Sequence, residues 1–211
     1  MLGGCLAPAP PEAGAVVLLP DSARREAPSF PLRAPASEPE TPETGSVRFT
    51  VDAECLYIHF TLNDRDIVAD CREHQQPLYL YGDTVELFLK PEDSPEYWEL
   101  HVDPNGNRTS IHFPGRSYSR LQKRQWPAAL PGFRAVSRRT ATGWTAELAV
   151  PWRELGGRTR RFRVLAGRYN YGRELDQVAH SSFPRLPRAT FHRYELYLPL
   201  QWNQQENNHA D

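Results

Sequence analysis

Four stretches alternate strictly between apolar and polar side chains, and this period of two constrains the chain more than any other feature. In Cys55–Leu62, Leu56, Ile58, Phe60 and Leu62 share one face, and Tyr57, His59 and Thr61 share the other. In Thr84–Leu89, Val85, Leu87 and Leu89 lie opposite Thr84, Glu86 and Phe88. In Tyr97–Val102, Trp98, Leu100 and Val102 lie opposite Tyr97, Glu99 and His101. Trp144–Val150 sets Trp144, Ala146, Leu148 and Val150 against Thr145, Glu147 and Ala149. Successive side chains of a strand point to opposite faces, so these runs are half-buried strands of an antiparallel sheet.

The punctuation agrees. Asn105-Gly106 is a tight-turn pair between Val102 and the run Thr109–Phe113. Thr142-Gly143 opens the next strand. Pro151–Leu155 fits one short helical turn with Pro at its first position. Ala15–Leu19, Phe162–Tyr171 and Tyr194–Leu200 are further strand candidates. Pro20–Thr44 is rich in Pro, Ser and Glu and is expected to be irregular. Twenty prolines and an aromatic share of 11% suit a β-protein with long loops. The expectation is an all-β, antiparallel β-sandwich of roughly eight to ten strands with at most one or two helical turns. A chain of 211 residues fits one domain over residues 14–203, between a disordered lead (1–13) and a disordered tail (204–211).

A formal net charge of -1 and the lack of a long basic run argue against duplex nucleic acid as a partner. The cluster Arg158, Arg160, Arg161, Arg163 follows Gly156-Gly157 and is taken as a solvated turn and strand start. No apolar run approaches the ~18 residues of a membrane span. Leu2-Gly3-Gly4-Cys5 resembles the end of a bacterial lipoprotein signal without its upstream regions. Two readings stay open there: a lipid anchor at Cys5 on an exported, periplasmic or outer-surface protein, or a chance match. Cys55 and Cys71 are open in the same way, as a disulfide pair or as two unrelated cysteines.

The ordered set Leu56-Tyr57-Ile58, Asn63-Asp64, Gly82-Asp83-Thr84-Val85-Glu86-Leu87-Phe88-Leu89, Tyr97–Glu99, Pro104-Asn105-Gly106, Gly143–Trp152, Arg168-Tyr169-Asn170-Tyr171 and Phe191-His192 resembles the family 9 carbohydrate-binding modules. These are relatives of the DOMON-type sandwiches, and the resemblance runs over residues 46–200. It implies a β-sandwich that binds a plant or microbial polysaccharide fragment between two aromatic rings, without catalysis, in some members with structural calcium. By position it implies Glu86 and Asn170 as sugar contacts, and Arg108 after the Asn-Gly turn as a third. Family binders carry Trp just before Gly-Asp, where this chain has Leu78-Tyr79-Leu80-Tyr81; Tyr79 and Tyr81 are the candidate platforms. The second clamp Trp is missing too, and Phe183 is the ring in that loop.

Such residue types suit a sugar. The axial C–H face of a pyranose stacks on an aromatic plane. Carboxylates, amides and guanidiniums match hydroxyls that both donate and accept. Competing uses of the same residues are a glycoside hydrolase, a haem sandwich and a scaffold that has lost its sugar. Glu86 and Glu99 face one side if their strands form a hairpin, and a hydrolase needs two carboxylates ~5–9 Å apart, but no enzyme motif surrounds them. Met1 is the single Met, so a haem would need two histidines, and His59, His101 and His112 lack a ligand spacing. Asn63, Asp64 and Asp66 form an oxygen-rich cluster, which makes Asp64 and Asp66 the candidate calcium ligands. Asp83 is expected to cap a turn, Glu99 and Glu147 to be surface acids, and Phe191-His192 to anchor the last strand. Trp98, Trp144 and Trp152 are assigned to the core.

Overall fold

Every alternating run forms a strand. The structure, a computed structural model, describes residues 14–115, 129–173 and 178–202. Its strands are β1 (Val16–Pro20), β2 (Phe30–Leu32), β3 (Gly45–Val51), β4 (Cys55–Asn63), β5 (Thr84–Pro91) and β6 (Tyr97–Val102). They continue as β7 (Arg108–Phe113), β8 (Arg134–Thr140), β9 (Gly143–Pro151), β10 (Phe162–Asn170), β11 (Ala179–Phe183) and β12 (Leu198–Trp202). The lead and tail at 1–13 and 204–211, and Cys5 with them, lie outside the described residues.

Ten of the strands follow one hydrogen-bonded path, β7-β6-β5-β10-β12-β1-β3-β4-β9-β8, with β11 on β10 and β2 on β3. Two antiparallel ladders make up most of it, β7-β6-β5-β10 and β3-β4-β9-β8. β1 joins them, and both its pairings are parallel: Val16–Leu18 on β12, then Leu19 and Pro20 on β3. The apolar faces of the two ladders line one core. Phe49, Ile58, Phe60, Trp144 and Leu148 come from one, and Val85, Leu87, Leu100 and Val164 from the other. Trp98, Trp144 and Trp152 are all buried, as expected.

Several expectations are corrected. The chain is all-β, but it has twelve strands rather than eight to ten, and four single helical turns among the described residues rather than one or two. Pro20–Thr44 is not wholly irregular: Asp21–Ala23 is a helical turn and Phe30–Leu32 is β2, held on β3 by its antiparallel partner Val47. Tyr194–Leu196 is a helical turn, so the last strand starts at Leu198. Pro151 ends β9 instead of opening the helical turn at Trp152–Glu154. Cys55 and Cys71 are both buried free thiols, so no disulfide joins them.

β5 and β6 depart most usefully from a half-buried pattern. Nearly every side chain of both is buried. Leu186, Phe191 and Tyr197, from the segment before β12, pack onto Phe88, Tyr97, Ile111, Phe113 and Leu165 as a second apolar cluster. A loop therefore covers the outer face of this ladder, and the polar residues on that face lie beneath it.

Candidate functional site

The strand pairing brings Glu86, Glu99 and His101 together. Glu86 faces His101 across β5–β6, and Phe88 faces Glu99, so all three acid–base groups share the outer face of the ladder. His101 Nε2 lies 2.5 Å from Glu99 Oε1 and 3.3 Å from Glu86 Oε1. None of the three is more than 2% exposed. A carboxylate buried at this depth is costly unless charge or hydrogen bonds answer it, and the His101 imidazole answers Glu99.

A cleft of about 600 Å³ opens over this cluster. Glu99 is in its floor with Tyr169; Tyr79 and Leu80 form one wall, and Thr190, Phe191 and His192 the other. The helical turn Leu78–Leu80 sets the first wall, since Leu78 is its buried anchor and its next residue leans over β6. The Tyr79 ring meets Tyr169 at 5.5 Å and His101 edge-on at 5.7 Å. Tyr171 Oη donates to the Tyr79 carbonyl at 2.6 Å, which fixes the turn. Gly82 lets that turn enter β5: its φ is +139°, and a β-carbon there would lie 2.2 Å from the Val68 carbonyl oxygen. Gly167 does the same for the far wall, because a β-carbon on it would meet Phe191 Cε2 at 2.8 Å. Burial, then the Glu86 and Glu99 carboxylates, push the Tyr169 phenol upward, so it stays a protonated donor.

Asn170 and Arg108 stand elsewhere. Asn170 alternates with Tyr169 on β10 and points to the other face, where Arg168 Nη2 donates to its Oδ1 and its Nδ2 donates to Glu43 Oε2. Arg168 is fully buried and also binds Asp64 Oδ2 at 3.2 Å and the Asn63 carbonyl at 3.0 Å. Arg108 pairs with Val102, on the core side of the sheet edge. Tyr81, 42% exposed, follows the helical turn and does not line the cleft. Phe183 stacks on Phe30 at 4.3 Å and packs against the main core. Of the six expected ligand contacts, Tyr79 alone lines the cleft, and Glu86 lies behind it, 3.3 Å from His101.

Asp83 does cap its turn, accepting from the Val68 and Tyr171 amides at 2.7 Å each. Burial, with the Asp64 carboxylate nearby, pushes its pKa up to about 7. Asp64 and Asp66 cluster with Glu43 closely enough to hold a cation. Their oxygens are already engaged: Arg168 and the Asp66 amide on Asp64, Asn170 and the Arg65 amide on Glu43, and the Arg173 amide on Asp66. Only Asp66 Oδ1 accepts no donor among the described residues, so this donor set fits calcium poorly. Glu86, Glu99 and His101 are also near enough to share an ion. There His101 Nε2 is bonded to Glu99, and its buried Nδ1 lacks, among the described residues, the second partner that orients a metal-bound imidazole. His59 and His112 each lie by carboxylates of their own.

The residues that sequence reasoning set aside are Glu99, His101, Tyr169 and the Phe191-His192 pair. One signal was available for the first two: Glu99 and His101 share a strand face, and a hairpin places them beside Glu86. The covering loop has no periodicity to read.

No protein-family model and no curated protein matches the chain. Solved structures do. A candidate carbohydrate-binding protein of Bacteroides uniformis superposes with a TM-score of 0.64 at 11% identity, over 90% of this chain and 97% of that one. A family 9 carbohydrate-binding module of Caldicellulosiruptor kristjanssonii in complex with cellotriose gives 0.61 at 11%, over 93% and 97%. Its complex with glucose gives 0.59 at 11%, over 93% and 99%. The chain has the fold of the family 9 carbohydrate-binding modules.

Proposed function

We propose that the protein binds a mono- or oligosaccharide in the Tyr79–Phe191 cleft without transforming it. Its two ladders are read as the layers of a sandwich, with the site on the outer face of one. The observation that carries the proposal is the aromatic wall at Tyr79 beside buried Glu99, itself tied to His101. A pyranose stacks its C–H face on Tyr79, and its hydroxyls meet Glu99, with the Tyr169 phenol and the His192 rim within the same cleft. His101 orients Glu99 through their 2.5 Å hydrogen bond. The solved neighbours with bound cellotriose and glucose support a carbohydrate as the ligand class.

Binding without catalysis is favoured over hydrolysis because Glu99 is tied to an imidazole and Glu86 does not line the cleft. General acid–base work on a glycosidic bond needs two carboxylates that separately reach the scissile oxygen and the anomeric carbon. Site affinity is expected on the order of micromolar to millimolar, as for a shallow cleft with few anchors. Calorimetry against neutral sugars, with wild type beside Tyr79→Ala, tests the proposal. Saturable binding that weakens in the variant supports it, and a folded protein that takes no sugar contradicts it.

An exported location with a lipid at Cys5 belongs to the same proposal. Mass spectrometry of the N-terminal peptide from the native host tests it, and an unmodified Cys5 overturns it. Among the described residues no helix is long and apolar enough to cross a membrane.

A further inference from the structure

The outward face of the other ladder carries a second groove, of about 280 Å³. Its residues come in cross-strand rows. Arg48, His59, Glu147 and Val136 form one row over β3, β4, β9 and β8, and Ser46, Thr61, Thr145 and Arg138 form the next. Arg48 therefore stands on one wall and Arg138 on the other, with two threonine hydroxyls between them. The backbones that carry the two arginines are three strand spacings apart, roughly 14 Å.

The charges in the groove are not all answered. Arg24 is committed, at 2.8 Å to Asp21 and 2.6 Å to Glu147. His59 sits among Thr50, Asp21 and Glu147, and burial, then Arg24, holds its pKa down, so the imidazole is neutral at neutral pH. Arg48 and Arg138 differ: among the described residues neither side chain makes a hydrogen bond or ion pair. Arg48 is half-buried, which lowers the conformational cost of holding it ready. A guanidinium fork matches the planar oxygens of a carboxylate and the oxygens of a sulfate.

We infer that this groove binds an acidic sugar chain, whose carboxylate or sulfate groups meet Arg48 and Arg138 while its hydroxyls meet Thr61, Thr145 and Glu147. A nucleic acid fits less well. Its phosphates, one per nucleotide, would meet Glu147 in the lining, whereas a sugar hydroxyl donates to a carboxylate. The phenyl ring in the lining, Phe60, is 1% exposed and offers no face on which to stack a base. The groove and the cleft lie on different ladders, so either proposal can fail alone.

The test is calorimetry of the full chain with oligogalacturonate, with sulfated dextran oligomers, with plain dextran oligomers and with a single-stranded oligonucleotide, repeated for R48Q, R138Q and E99Q. We expect an acidic chain to bind, and each arginine variant to weaken it about tenfold. Added salt weakens it further. E99Q, at a residue of the cleft that does not line the groove, leaves this binding unchanged in the folded protein. Whichever acidic chain binds names the anion. Both arginines are solvent-accessible, so unchanged melting curves show that the variants fold. No binding of either acidic chain, binding equal in R48Q, R138Q and wild type, or tighter binding of a single-stranded oligonucleotide overturns the inference.

Discussion

The imidazole of His101 stands between the carboxylates of Glu99 and Glu86, 2.5 Å from one and 3.3 Å from the other, on two neighbouring strands of one sheet. A hydrogen bond of that length with a charged partner fixes both side chains before any ligand arrives. Glu99 thus faces the cleft in a set orientation, and a sugar does not have to order it. Preorganisation of this kind raises affinity by removing a cost. We expect Glu99→Gln, which keeps the shape and loses the charge, to weaken neutral-sugar binding at least tenfold. It should cost about 1–3 kcal/mol of stability through His101, checked by denaturant titration.

The aromatic wall gives a second expectation with opposite signs. Tyr79→Ala removes the stacking plane and should weaken binding about tenfold, since aromatic contacts of this kind contribute roughly 0.5–1.5 kcal/mol beyond area. Tyr79→Trp enlarges the plane and should strengthen it. Calorimetry on the pair reads both directions, and a Trp variant that binds no better would place the sugar away from this wall.

Asn170 separates stability from binding. Its amide links Arg168 to Glu43 on the face away from the cleft. Asn170→Ala should therefore lower stability by about 1–3 kcal/mol and leave sugar affinity unchanged for the folded protein. A loss of affinity without a loss of stability would return Asn170 to the site. Arg168→Met leaves Asp64 buried without its cation and should cost more, about 3–5 kcal/mol. Because Arg168 already supplies the positive charge there, EDTA should leave the melting temperature of wild type unchanged.

How much of this was legible can be argued from single residues. The alternation in β4, β5, β6 and β9 is a local property, and those strands fall where it places them. β8 escaped notice because Arg134–Thr140 is an outer strand of the path with polar residues on both faces, so it carries little period. Phe183 looked like a clamp because its packing partner Phe30 sits in a proline-rich stretch with no visible strand signal. Glu99 looked like a surface acid because a strand acid reads the same whether its face is open or covered. What covers it is the segment with Leu186, Phe191 and Tyr197, whose spacing follows no helix or strand period. Asn170 followed its neighbour Tyr169 in the family pattern, but one step along a strand changes the face.

Asp83 should leave a mark on the pH dependence of stability. Its folded pKa, about 7, lies above the ordinary 3.8, so the folded state holds its proton more tightly than the unfolded chain. This group's contribution is fully present below about pH 4 and is lost as pH rises through about 7. Asp83→Asn cannot ionise, so melting temperatures recorded from pH 4 to pH 8 should fall less steeply for the variant than for wild type. Parallel curves would show that another group titrates there.

The most direct test of the central claim is a titration of isotope-labelled protein with glucose and with cellotriose, followed by amide NMR shifts. We expect saturable changes at Tyr79, Glu99, His101, Tyr169 and His192, with the β8 and β9 amides still. Folded protein whose spectrum does not move at millimolar sugar, or moves only away from those residues, would contradict a carbohydrate site in this cleft.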